Sequence, residues 1–365
     1  MADTVLFTGI GVNGNVPCIG LEAGMSARAH RPTIKEVAQH AGVSPMTVSR
    51  TLSGGLNVKP DVQERVLAAV ADLGYHRNEN ARSIRPGHSS GLIGVAITNI
   101  ANPYYSTFAL GVEEEAALTG RRILLGNTSE DADRENALVS DFLGRRVEGL
   151  IVVPASTDAD HLAASQQQGV PVVQASRRID GLDADTVVLA DDDGAHRGAS
   201  ALIDAGHTRI GYLGNTLSIF TGRRRHAGFV RALEERGIPL DPALIAAGQQ
   251  TVDQAREATR AMLRMKNPPT ALFCANNRNA IGALKEINRQ LGSGIKPVSE
   301  YPEIMSFDDF ELAELSPVPI SVIDHDPREL GRTAARLLLD RLDASGDGGE
   351  AREVELPVQL RMHLR

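Results

Sequence analysis

Apolar residues recur along this chain with two different periods, and the change from one to the other divides it. Between 33 and 73 the spacing is helical: Ile34, Val37, Ala38 and Ala41 share one face, Val48 and Leu52 a second, and Val62, Val66, Ala69, Val70 and Leu73 a third. The punctuation agrees. Thr33 with Glu36 forms a capping box, Gly42 breaks the first helix, Ser44 caps a second with Pro45 in its first turn, and Gly74 stops the third. From 92 onward short apolar runs take over: LIGVAI, RILLG, GLIVVP, VPVVQ, TVVLA, RIGYLG, TALFCA, ISVI and VELPVQL. They alternate with amphipathic segments near 103–119, 133–145, 158–168, 193–205, 222–236, 252–265, 276–290 and 326–343. That alternation predicts an α/β body of doubly wound parallel sheets. A change near Leu189 and Ala190 splits it into two similar lobes, about 91–190 with 324–346 and about 191–323 with 350–365.

The two short helices over 33–52, TIKEVAQHAGVSPMTVSRTL, predict a helix-turn-helix. In such a unit the second helix enters the DNA major groove and its early residues face base edges. Pro45, Met46 and Arg50 are therefore expected at the bases, Arg50 with a guanidinium able to bond guanine through two N–H groups and Pro45 with shape alone. Ser44, Thr47, Ser49 and Asn57 are expected to contact phosphates or position the helix. A helical hairpin that merely packs is the plainer alternative. The following stretch, YHRNENARSIR over 75–85, is too poor in apolar residues to hold a helix alone and reads as a linker.

Composition changes this picture at a few points. A chain of 365 residues that is 42% hydrophobic holds two or three domains with ample core, and no apolar run approaches a membrane span. Two cysteines, Cys18 and Cys274, cannot build a disulfide framework, which fits a reducing cytoplasm. The net charge of −8 looks wrong for a nucleic-acid ligand until it is divided: 31–90 holds eight Lys or Arg against five Asp or Glu, hence +3. The remaining body is acidic and would not coat DNA unspecifically. At 9–14 the sequence GIGVNG spells GxGxxG, but no helix opens at its third glycine and no βαβ unit fits before 33, so no dinucleotide cofactor is expected. With Asp3 and no early Lys or Arg it is not a secretory signal, and 1–30 is expected to be a disordered leader, Met25 offering an alternative start. No metal-ligand cluster, nucleophile elbow or acid–base pair emerges, and His161, His207 and His325 read as surface or core groups. No catalytic, metal or cofactor site is expected.

In open α/β sheets ligands gather beyond the carboxyl ends of strands. Tyr104 and Tyr105 follow the first run and can stack on a ligand, a role that competes with plain core packing. After RIGYLG comes Phe220 and then TGRRRH over 221–226, where backbone N–H groups and guanidinium forks converge on an anion or polyol site. Arg223 and Arg224 have simple solvation as their default.

VAQHAGVSPMTVSRTLSG over 37–54, with NPYYSTFALGVEEEA over 102–116 and RRVEGLIV over 145–152, resembles the lactose-repressor (LacI) family of bacterial transcription regulators. The resemblance extends over roughly 32–365. It implies a DNA-binding headpiece over 31–76, and a hinge helix over 77–90 that orders on DNA. There Arg82 would contact the duplex and Ile84 would wedge into the minor groove, where the family usually has leucine. It also implies a type I periplasmic-binding-protein-like body over 91–365 for effector binding and dimerisation. The family's effector-binding arginine matches Arg225, and its polar ligand residues match Asn276 and Asp308. This chain departs in having Asn277 where the family commonly has aspartate, Ser306 where it has glycine, and altered spacing before Asp308. The function implied is a homodimeric repressor of a palindromic operator, with a tetramer left open. It would be cytoplasmic, on the nucleoid, gated by a carbohydrate or sugar acid, with a nucleobase as the alternative. A sugar-transport receptor shares the body fold, but it would need export and would lack the headpiece.

Overall fold

The computed structural model describes residues 32–54, 57–76, 90–311, 313–344 and 349–363. The expected leader over 1–30, most of the hinge with Arg82 and Ile84, and Arg31 lie outside the described residues. Two compact units divide at Ala81 and Arg82.

The first unit contains α1 (Ile34–Ala41), α2 (Pro45–Leu52) and α3 (Pro60–Asp72). The capping box forms as the sequence predicts: Thr33 Oγ1 accepts from Glu36 N at 3.4 Å while Glu36 Oε2 accepts from Thr33 N at 2.6 Å. Gly42 then takes a left-handed φ of 64° and turns the chain into the Ser44 cap of α2. Each helix contributes one wholly buried valine, Val37, Val48 and Val66, and these close a core with Ala38, Ala41 and Ala69. Lys59 precedes α3 without a side-chain cap.

The second unit builds two six-stranded sheets. The first has β1 (Leu92–Ile97), β2 (Arg122–Asn127), β3 (Gly149–Val152), β4 (Val172–Ala175) and β5 (Asp185–Leu189). Between them run α4 (Pro103–Leu118), α5 (Ala132–Gly144) and α6 (Asp160–Gln167). The second lobe follows with α7 (Asp191–Asp204), β6 (Ile210–Leu213), α8 (Phe220–Glu235), β7 (Ile245–Ala246), α9 (Val252–Leu263) and β8 (Ala271–Cys274). It continues through α10 (Asn277–Gly292), β9 (Glu303–Phe307) and β10 (Ile320–Asp324). The chain then returns to the first lobe with α11 (Pro327–Asp343) and β11 (Glu353–Leu356), and ends in the second with β12 (Gln359–Arg361). The sheet orders are β11-β5-β4-β3-β1-β2, all parallel, and β12-β10-β9-β8-β6-β7, parallel except for the antiparallel β12. Central strands such as β3 and β8 are buried throughout, which is why they read as continuous rather than alternating runs.

Three differences from the sequence expectation follow from local chemistry. EIMSF over 303–307 is absent from the apolar runs read in the sequence, yet it is the fully buried β9 between β8 and β10. Glu303 and Ser306 break the apolar run, but the Ser306 hydroxyl is satisfied by the carbonyls of Phe307 at 3.2 Å and Asp308 at 2.9 Å. The short β7 was likewise missed. VELPVQL was expected as one strand in the second lobe, with all of 350–365. Instead Pro357, which cannot donate to a ladder, separates β11 from β12, and β11 pairs with β5 of the first lobe. The buried Asp185 pins it there, accepting from Arg352 N at 2.8 Å and Arg352 Nη2 at 2.7 Å, with Arg341 Nη2 at 2.6 Å on its other side. The chain thus crosses between lobes three times.

Helix α11 returns against α4 because both carry glycine at the crossing. A Cβ at Gly111 would strike the carbonyl of Arg328, and one at Gly331 the carbonyl of Phe108. Backbone therefore packs directly on backbone, and the returning segment is held rigidly to the lobe it rejoins.

Candidate functional site

On the first unit, α2 spends its first-turn polar groups on itself. Ser44 Oγ accepts from Thr47 N at 3.1 Å and lies 2.9 Å from Thr47 Oγ1. Thr51 Oγ1 donates to the Thr47 carbonyl, and Ser53 Oγ to that of Ser49. Val48 and Thr51 turn inward, while Pro45, Met46 and Arg50 stand exposed, Met46 at 61%. An exposed methionine beside an arginine with no ion pair among the described residues is unspent surface. Asn57 is exposed as well, with a left-handed φ of 64°.

In the second unit the strand ends of both sheets open on one cleft. In each sheet the strand order reverses beside a single strand, β1 in the first and β6 in the second, and ligands in such sheets collect at that reversal. Asn99 and Asn102 follow β1; Asn215 follows β6 and Asn276 follows β8, and all four line a cavity of about 60 Å³. Tyr104, Tyr105, Arg225, Asn276 and Asp308 are brought together there, and Phe220 is not. Instead Phe220 lines a neighbouring chamber with the Arg178 guanidinium 5.7 Å from its ring centre. Asn276 is committed in part: its Oδ1 caps α10, accepting from Asn279 N at 2.9 Å.

Arg225 is the centre of the inner cavity. Its Nε donates to Asp191 Oδ1 at 2.7 Å, its Nη1 to the Ala275 carbonyl at 2.7 Å and more weakly to Asp308 Oδ2 at 3.4 Å. Its guanidinium lies 3.6 Å from the centre of the Phe307 ring. Asp191 is wholly buried, and burial outweighs the pull of Arg225, raising its carboxyl to about 6. One oxygen on each carboxylate, Asp191 Oδ2 and Asp308 Oδ1, is buried with no partner. Both nitrogens of His325 are in the same condition, its Nδ1 being 3.9 Å from Asp308 Oδ1. Burial holds that imidazole below its usual range, hence neutral. Tyr104 closes the group, its ring edge-on to His325 with centroids 5.5 Å apart and its hydroxyl 3.5 Å from Ser176 Oγ.

A second ion pair flanks the first. Arg177 donates to Glu130 through Nη1 at 2.6 Å and Nη2 at 2.8 Å, and to the Pro154 carbonyl at 3.1 Å. Glu130, Ser176 and Asp308 all adopt left-handed φ values, 60°, 63° and 69°. Each lies shortly after a strand, and each such non-glycine conformation costs ~1–3 kcal/mol, a pattern that clusters where side chains must be aimed. Across the cleft Asn102 Nδ2 donates to Asn277 Oδ1 at 3.3 Å and Asn277 Nδ2 to Asn102 Oδ1 at 3.0 Å, tying the lobes by a reciprocal amide pair.

Sequence reasoning missed Glu130, Ser176, Arg177, Asp191 and His325. Each stands at or just beyond a strand end, so the same rule that pointed to Tyr104 and Tyr105 would have found them had it been applied after every run. His161 and His207 match their expected bland roles, paired with Glu135 at 2.9 Å and with Thr270 Oγ1 at 2.9 Å. His325 does not, since it is buried without a partner. Arg223 and Arg224 stay at the surface as expected, with long contacts to Asp180 at 3.3 Å and Glu355 at 3.9 Å. Among the described residues no group of three metal-ligating side chains assembles, and no helix is long and apolar enough to cross a membrane.

Comparison with known proteins places both units. Residues 90–363 match the family described as periplasmic binding proteins and sugar binding domain of LacI family, and 33–78 match bacterial regulatory proteins, lacI family. The chain is 30% identical over 307 residues to catabolite control protein A of Priestia megaterium, covering 84% of this chain and 91% of that protein. It is 29% identical over 333 residues to the HTH-type transcriptional repressor CytR of Escherichia coli strain K12, covering 91% and 96%. The crystal structure of the lac repressor dimer bound to operator and the anti-inducer ONPF superposes with a TM-score of 0.77 at 28% identity, covering 91% of this chain and 98% of that one.

Proposed function

The chain belongs to the lacI family of bacterial regulatory proteins, and we propose from that premise that it is a homodimeric cytoplasmic repressor of a palindromic operator, switched by a neutral, hydroxyl-rich effector. It is a DNA-binding transcription regulator with an effector-binding body. On the DNA side, Arg50 and Met46 are the base-facing residues, with Pro45 giving shape and Ser44, Thr47, Ser49 and Asn57 fixing position. On the effector side, Arg225, Asp308, Asn276, Tyr104 and Tyr105 hold the ligand. Effector and operator are linked reciprocally: whichever inter-lobe arrangement one favours, the other feels by the same factor.

The observation that carries the effector class is charge balance. Arg225 and Arg177 arrive with their own counter-charges in Asp191, Asp308 and Glu130, so neither is an idle cationic fork for a sugar acid or phosphate, and Arg278 is the cation of the lining without an ion pair among the described residues. On its wall Asp308 Oδ1 is a buried acceptor left unsatisfied. A buried unpaired acceptor costs about 1–3 kcal/mol, and a ligand that donates hydrogen bonds removes that cost. Sugar hydroxyls donate; phosphates and carboxylates do not.

The test has two arms. Selection from random double-stranded DNA is expected to return one palindrome, bound by a dimer. A thermal-shift panel of neutral sugars, sugar acids, sugar phosphates and purines is expected to stabilise the protein with neutral sugars, by about 2.7 kcal/mol at a hundred times the dissociation constant. Stabilisation confined to the anionic compounds would refute the effector assignment while leaving the DNA assignment standing.

A further inference from the structure

The cluster around Arg225 carries more acid than base. Asp191, Asp308 and His325 surround one guanidinium, and none of the four side chains is more than 9% exposed. With both carboxyls ionised and His325 neutral the cluster holds one net negative charge, which burial makes costly. One added proton brings it to zero. Places for that proton exist: Asp191 Oδ2, Asp308 Oδ1 and both His325 nitrogens are buried with no hydrogen-bond partner, and His325 Nδ1 lies 3.9 Å from Asp308 Oδ1. The surrounding elements supply no second counter-charge. In α7, Asp192 and Asp193 are held by Arg231 and Arg197, and from α8 Arg224 acts on Asp191 through its charge alone. Tyr212 on β6 faces Asp191, and Tyr104 and Tyr105 on α4 face Asp308; burial keeps these phenols protonated. On the segment crossing between lobes, Asp324 and Asp326 flank His325, Asp324 drawn to Arg361 at 3.3 Å and Asp326 capping α11. Arg177 is spent on Glu130.

Resting on the assignment of this cluster to the effector site, we propose that effector capture is proton-linked: the cluster takes up one proton in mild acid, and the effector expels that proton on binding. The proton belongs to the cluster as a unit, since groups this close titrate together. Asp308 lines the cavity, so a sugar hydroxyl that donates to its unpaired Oδ1 stabilises the ionised cluster, and a hydrogen bond to the charged form of an acid holds its proton off. The protonated cluster has lost the charge that draws the donor. Burial, outweighing Arg225, raises the Asp191 carboxyl to about 6, which sets the pH window. Below that window one proton competes with one effector, so affinity falls by up to about tenfold per pH unit. Because effector and operator are linked, acidification also reaches the DNA through this cluster.

Calorimetric titration of the full-length protein with glucose, galactose and ribose tests this. Titrations at pH 6.0 in MES and in imidazole, two buffers with different heats of ionisation, count the protons released, and titrations from pH 5.0 to 7.5 give affinity against pH. The expected result is release of about half a proton per bound sugar at pH 6.0, with affinity level above pH 7 and falling towards tenfold per unit below 6. Asp191→Asn removes an acid and His325→Gln a base, each leaving a neutral polar side chain. The slope is expected to vanish in one of them, and whichever abolishes it locates the proton; should one fail to fold, the other and the buffer pair on the parent still decide. Equal heats in both buffers with level affinity, proton uptake instead of release, or a slope that survives both variants would overturn the linkage, while sugar binding itself kept the effector assignment intact. Binding of none of the three sugars at any pH would overturn both.

Discussion

Replacing Arg225 by alanine removes the one cation from a nest of buried acids, and the cost can be worked from the geometry. The variant loses a charge-assisted bond to Asp191 at 2.7 Å and leaves the Ala275 carbonyl, accepting at the same distance, without its donor. It also loses the contact 3.6 Å from the Phe307 ring centre. Breaking one side of a buried ion pair costs roughly 3–5 kcal/mol when the remaining charge has nowhere to go. Here it has somewhere to go. Burial already holds the Asp191 carboxyl at about 6, and without Arg225 it must rise further. At pH 7.5 protonating it therefore costs at most ~2 kcal/mol, at 1.36 kcal/mol per pH unit. Adding an unsatisfied carbonyl at about 1–3 kcal/mol returns a total of ~3–5 kcal/mol. For a unit spanning 82–365 the unfolding entropy is roughly 0.6 kcal/mol per degree, so the melting temperature should fall by ~5–8 °C.

The pH dependence carries a definite sign. A carboxyl raised in the folded state favours folding when protonated, fully so below its unfolded value near 3.8, and that contribution is lost as pH rises through the folded value. The deficit of Arg225→Ala relative to the parent should therefore be largest above pH 6 and should shrink as pH falls towards 4. Scanning calorimetry at pH 5.0 and 7.5 reads both quantities, and effector titration of the folded variant should show the response gone with operator binding kept. A deficit that grows on acidification, or a melting point within a degree of the parent at pH 7.5, would refute the picture of Arg225 as the counter-ion of the nest.

Three further outcomes follow from other parts of the molecule. Arg50→Ala should weaken operator binding by ~1–3 kcal/mol and relax discrimination at one base pair without touching effector affinity; equal weakening on all DNA would make Arg50 a phosphate contact only. Gly331→Ala should destabilise the second unit by ~1–3 kcal/mol, because its Cβ meets the Phe108 backbone and α11 cannot yield locally; an unchanged melting point would mean the helices slide apart freely. Burial raises the Asp185 carboxyl, but hydrogen bonds from Arg341 and Arg352 outweigh it and hold it at about 2. Its stabilisation is thus present above pH 4 and lost as pH falls towards 2, and Asp185→Asn should flatten that part of the acid-unfolding curve, a change visible by circular dichroism.

Much of this was legible in the chain. The caps at Thr33 and Ser44 are local hydrogen bonds between neighbours, so sequence spacing suffices to place them. The arginine-rich turn over 221–226 was legible from its place after a strand, and the family resemblance singled out Arg225 within it. Its counter-charges were not, since Asp191 and Asp308 are 34 and 83 positions away along the chain and meet it only in the folded body, Asp191 at the start of α7 and Asp308 just after β9. Phe220 was close in sequence and therefore assigned to the same cavity, but helix α8 begins at this residue, and its ring turns towards the outer chamber instead. Strand β9 escaped because its two polar residues are satisfied only within the folded sheet.

The reciprocal amide pair between Asn102 and Asn277 has a bearing on how the protein would answer its surroundings. Both partners are uncharged, and the arginines at the core of the cleft carry their own carboxylates. Ionic strength therefore has little purchase on the bridge between lobes or on ligand capture, because mobile ions screen exposed charges far more than buried pairs or dipoles. The exposed Arg50 and the local positive charge around it belong to the opposite regime, where affinity for a polyanion falls steeply as salt displaces released counterions. Salt would thus act on one activity and leave the other alone. A cell under osmotic stress would loosen this protein from DNA without changing what it senses.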